Sequence, residues 1–200
     1  LYIINEGVAM KLLFENWREY RKSSLNESIA HNIEEGAAVN VILYFHGLKT
    51  NVKIRLKELE SRFLTSPNTV LLVPDLTPDP QKKSIPVDYI EQQLESLGSP
   101  EVNTIQLYAH SAGGKPMSSF ILSSPPMLDK MTATYLDAIY GRRQADLVDK
   151  VLDTMCGKIN IITRSKGTPH KWAEKLARTK GDCFNKSVIK QGHDAFKIPP

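Results

Sequence analysis

Little in this chain points to a cross-linked, membrane-embedded or polyelectrolyte protein. Cys156 and Cys183 are the only two cysteines in 200 residues, too few for a disulfide framework, and neither has metal-ligand spacing. They read as two reduced thiols of a cytoplasmic protein, with a single bridge between them as the alternative. No apolar run approaches the roughly 18 residues of a membrane span. A secretory signal is not expected either: the apolar start Met10 to Phe14 is cut short by Glu15, Arg18, Glu19 and Arg21. Charge of one sign is also missing. With 26 basic and 22 acidic residues the net charge is +4, and Lys82-Lys83 and Arg142-Arg143 are isolated pairs. That distribution argues against nucleic-acid binding. Internal repeats and low-complexity linkers are lacking, so 200 residues imply one domain with a sizeable core.

What is present alternates. Residues 10–35 have helical character, with Leu12, Leu13, Trp17 and Tyr20 at helical spacing and a break near Ser23-Ser24. Met10 is the expected natural start, and "MKLLFENWREY" is similar to the opening of phage proteins. From residue 39 onward, apolar runs predict six buried strands at 39–45, 69–73, 104–109, 131–136, 159–163 and 187–190. Between them, periodicity predicts helices at 53–64, 87–97, 112–122, 144–155 and 170–178. Strands apolar throughout and separated by helices imply a mainly parallel six-stranded sheet covered on both faces. The expected organisation is an N-terminal helical segment over 1–38, packed on or extending from an α/β domain over 39–200.

Right-handed crossovers place every strand C-terminus along one edge, where ligands bind in such sheets. The third strand ends there in "YAHSAGG", residues 108–114. A serine between a strand and a helix, with small residues two before and two after it, fits the tight turn that projects Ser111 above the sheet. Ala109 and Gly113 meet the steric requirement, although a glycine is usual at the first position. Serine is a poor nucleophile until a base takes its proton. His193, in "QGHDAF" after the last strand, is the expected base, and His170 is the competitor. Asp137, ending the fourth strand in "YLDAIYG", is the expected acid, because "RSKGTPH" after the fifth strand has no carboxylate. The competing role for Asp137 is a turn cap or an ion pair with Arg142 or Arg143. Donors for an oxyanion are expected at Leu48 N–H, after the first strand in "YFHGLKTN", and at Ala112 N–H. His46, Gly47 and His110 are expected to contact substrate.

These motifs, "LYFHGLKTN", "LLVPDL", "YAHSAGG", "YLDAIYG" and "QGHDAF", resemble those of the α/β-hydrolases over residues 39–200. More narrowly, "HGLKTN" followed by "VPDLTPDP" is similar to small capless bacterial esterases of the YqiA-like group. The resemblance implies a three-layer α/β-hydrolase fold lacking a cap domain and the family's two leading antiparallel strands. It implies a Ser111–His193–Asp137 triad hydrolysing carboxylic esters through an acyl-enzyme, with no metal or organic cofactor. The acid sits one strand earlier than in most members. An open site, bordered by residues 48–52, 75–86, 123–130 and 164–170, suits a small-molecule or polymer ester. An amidase or peptidase on the same triad, and a noncatalytic module that kept the fold, are the alternatives. Dehalogenase and epoxide hydrolase relatives use an aspartate where Ser111 stands.

Overall fold

The structure is a computed structural model that describes residues 29–48, 51–190 and 192. The helix expected from residue 10 and the base expected at His193 lie outside the described residues. Strands β1 (Ile29–His31), β2 (Val39–Phe45), β3 (Thr69–Leu72), β4 (Val102–His110), β5 (Met131–Leu136), β6 (Ile159–Arg164) and β7 (Phe184–Ile189) form one sheet. Their order is β1-β3-β2-β4-β5-β6-β7, parallel throughout except for β1. Helices α1 (Val52–Phe63), α2 (Tyr89–Glu95), α3 (Gly114–Leu122), α4 (Arg142–Thr154) and α5 (Thr168–Lys180) fill the crossovers.

The two faces of the sheet follow from strand alternation. Val41, Leu43 and Phe45 of β2 face a core shared with Ile90 of α2, Met117 of α3, Val148 of α4 and Leu176 of α5. Ile42 and Tyr44 face the other way, against Leu56 and Leu59 of α1. Each fully buried Leu, Ile or Phe in these layers contributes roughly 1.5–3 kcal/mol. Among the described residues no helix is long and apolar enough to cross a membrane.

Three expectations are corrected. The sheet has seven strands rather than six, because Ile29–His31 is extended and not helical. It pairs antiparallel with β3 (Ile29 opposite Leu72), satisfying an edge that β3 would otherwise leave open. One antiparallel leading strand is therefore present where none was expected. Three residues are too few for any period to be read. Finally, Cys156 and Cys183 are bonded to each other. They are 27 residues apart in sequence. Ile159 of β6 pairs with Phe184 of β7, however, so the chain just before each strand meets, and Gly157 N–H donates to Cys183 O at 2.9 Å.

Candidate active site

Register sets the geometry of the C-terminal edge. His110 on β4 pairs with Leu136 on β5, so Ser111 and Asp137 leave adjacent strands at the same level. On the far side Leu136 pairs with Ile162, which brings Arg164 within reach of Asp137. The chain needs a sharp turn to convert strand into helix at each of the first two positions. Ser111 has φ 54° and Asp137 has φ 47°, both in the left-handed region. Strain of this kind persists only where the surroundings hold it in place.

Those surroundings are tight at Ser111. A Cβ at Gly113 would stand 2.1 Å from the Phe45 carbonyl oxygen, so the turn can press against β2 only with glycine there. A Cβ at Gly47 would stand 3.0 Å from Ser111 Cβ, so the chain leaving β2 passes directly beside the serine. Beneath the turn, Ser118 Oγ donates to Gly114 O at 2.8 Å and lies 2.8 Å from Tyr135 Oη. This buried pair ties the first turn of α3 to β5. Ala112 is buried at the start of this turn, and Leu48 is exposed on the opposite lip.

Asp137 is fully buried. Arg164 Nε donates to its Oδ2 at 2.7 Å and Tyr140 Oη donates to the same oxygen at 3.1 Å. The cation beside Asp137 is therefore Arg164, not Arg142 or Arg143; Arg142 faces Asp146 one helical turn on. The Tyr140 phenol is pushed up to about 12, first by burial and then by the Asp137 charge and hydrogen bond. The Ser111 side chain works in the opposite direction, more weakly. Sequence reading missed both Tyr140 and Arg164, which no fixed spacing announces. The signal available was a tyrosine three residues past an acid on a short rim loop.

The remaining histidines divide. His46, expected to contact substrate, has no exposed surface. Its Nδ1 sits 2.7 Å from Gly47 O, and its Nε2 accepts Leu76 N–H at 3.2 Å. The ring is thus a strut between the loops after β2 and β3, with its proton on Nδ1. Burial holds its pKa below the ordinary value. The unfolded ring takes a proton near the ordinary value of about 6.5. The strut's contribution is therefore intact above that pH and is lost as pH falls below it. Lowering pH from 7.5 to 5.5 is expected to lower Tm, and His46→Gln, which does not titrate, should remove part of that slope. That part is about 2–4 °C, the response of a domain this size to roughly 1 kcal/mol. Thermal melts at the two pH values check it.

His110 is half-buried behind the Ser111 turn, its Nδ1 3.5 Å from where a Gly47 Cβ would be. His170 begins α5, with Nδ1 3.3 Å from Thr163 Oγ1 and Nε2 3.9 Å from Glu174. Asp75, the other acid at this edge, accepts both Thr77 N–H and Thr77 Oγ–H. Burial raises its pKa, but these bonds outweigh that and bring it below the usual carboxylate range. A cavity of about 450 Å³ between α1 and the sheet, lined by Asn40, Arg62, Phe63, Thr104 and Tyr108, opens at the strand beginnings, away from Ser111.

No protein-family model matches the sequence, and no curated protein does. Solved structures do match. LpqC, a poly(3-hydroxybutyrate) depolymerase from Bordetella parapertussis, superposes with TM-score 0.52 at 12% identity, over 82% of this chain and 77% of that one. MenH from S. aureus gives 0.52 at 12% identity, over 83% and 91%. The chain has the α/β-hydrolase fold. Zea mays acyl-protein thioesterase 2 gives 0.50 at 11% identity, over 86% of this chain and 91% of that one. On this α/β-hydrolase sheet the edge loops are short: residues 137–141 join β5 to α4, and 165–167 join β6 to α5. No cap domain stands over Ser111 among the described residues.

Proposed function

We propose that the protein is a serine hydrolase that cleaves carboxylic esters through an acyl-enzyme. The observation that carries this reading is Ser111, held at φ 54° at the head of a helix, level with a buried carboxylate on the next strand. In this reading Ser111 Oγ attacks the ester carbon and its proton passes to the imidazole of His193. Asp137 holds that imidazole, and Leu48 and Ala112 N–H receive the oxyanion. β7 ends at Ile189 on the same edge, four residues before position 193, which supports His193 as the base. The imidazolium then protonates the leaving alcohol, and water hydrolyses the acyl-enzyme by the same steps in reverse roles.

The similarity to a polyester depolymerase and to a thioesterase supports acyl transfer as the reaction class. The short rim loops favour an ester carried on an accessible molecule or polymer over one needing an enclosed acyl tunnel. A fluorophosphonate probe is expected to label the protein once, on Ser111, by mass spectrometry of digests. p-Nitrophenyl acetate should be hydrolysed faster than the matching anilide. A protein neither labelled nor active on any short-chain ester would be a binding module that kept the fold.

A further inference from the structure

Tyr140 stands where a triad has no assigned member. Its backbone N–H donates to Gln144 Oε1 at 2.8 Å, and Gln144 is itself buried, so the loop holding the ring is pinned to α4. Ala138 and Ile139, just before it, are buried as well. The phenol oxygen lies 3.1 Å from Asp137 Oδ2, and Ser111 leaves the neighbouring strand level with that carboxylate. A phenol has one proton, and an acceptor-only carboxylate takes it at rest. Once Oγ of Ser111 loses its proton, that negative oxygen calls for a donor.

We infer that Tyr140 is a fourth catalytic group, whose O–H turns from Asp137 to Ser111 Oγ when that oxygen carries negative charge. The proposal rests on the serine-hydrolase reading above. The need is greatest in deacylation. There the bond between Oγ and the acyl carbon breaks, and its electron pair stays on Oγ. The proton that finally neutralises Oγ comes from the imidazolium, and Tyr140 keeps its own, lending only a hydrogen bond. Arg164 Nε remains on Asp137 Oδ2 at 2.7 Å, so the buried carboxylate is not orphaned when the phenol turns away. A phenol pushed up to about 12 stays a donor throughout the working pH range.

Tyr140→Phe tests this, since it deletes one oxygen from a partly exposed ring and leaves the packing in place. In stopped-flow hydrolysis of p-nitrophenyl acetate, deacylation is expected to slow roughly 10- to 100-fold, the range for a hydrogen bond to a charged group. The acyl-enzyme then accumulates. A p-nitrophenol burst of about one equivalent should appear, kcat and KM should fall together, and kcat/KM and the fluorophosphonate labelling rate should change little. A purely structural role would weaken labelling and turnover alike. Deacylation equal to wild type, or an equal loss in both steps, overturns the inference while leaving the serine reading intact. If wild type is unlabelled and Ser111→Ala retains its turnover, the serine reading falls and the role of Tyr140 with it.

Discussion

Ser111→Ala is expected to reduce ester turnover to background, a loss of about 10⁶-fold, the scale for removing a serine nucleophile that works as one unit with its base. Labelling by fluorophosphonate should vanish with it. The fold should survive: the side chain is only half-buried, and alanine keeps the Cβ that packs beside Gly47. A second substitution separates chemistry from structure. Ser111 sits at φ 54°, where a Cβ is strained and glycine is not. Ser111→Gly is therefore expected to be as inactive as the alanine variant yet more stable than wild type by about 1 kcal/mol. Denaturant melts beside progress curves on one ester would show both. Substantial turnover by either variant places the nucleophile elsewhere.

Asp137→Asn carries the second-largest expectation, a fall in kcat of about 10⁴-fold, the scale seen when a triad acid is neutralised without changing its shape. Two separate effects are predicted. The imidazole would lose the partner that sets its tautomer, which lowers the rate. Arg164 would lose a carboxylate 2.7 Å away inside the protein, which lowers stability by roughly 1.5–3 kcal/mol, the value of a hydrogen bond to a charged group. Rates measured well below the variant's Tm isolate the first effect. Asp75→Asn should be mild, because that carboxylate is engaged with Thr77 in its own turn. A silent Asp137→Asn together with a severe Asp75→Asn would move the acid to the end of β3.

The parts of the fold legible in the sequence are those where one face pattern persists for a whole element. β2 and β5 coincide with the predicted 39–45 and 131–136, because each is a run of apolar or β-branched residues with sharp ends. The turn at Ser111 was legible for a steric reason, since only small neighbours let the chain reverse there. β1 was not, being three residues long and meaningful only beside β3. The Asp137–Arg164 pair was hidden because its members come from different strands, 27 residues apart, brought together by register alone. Local spacing pointed to Arg142 and Arg143 instead. For His46 the sequence shows only a histidine beside glycine at a strand end, which looks like a site wall. Only the contact with Leu76, 30 residues on, shows it to be a strut.

The bond between Cys156 and Cys183 sits at the root of β7. That strand is the last of the sheet among the described residues, and four of its six side chains are exposed. A strand with so much exposed surface is held mainly by its backbone pairing, and here a covalent bond fixes where that pairing begins: Phe184 cannot slip against Ile159 while the bond is intact.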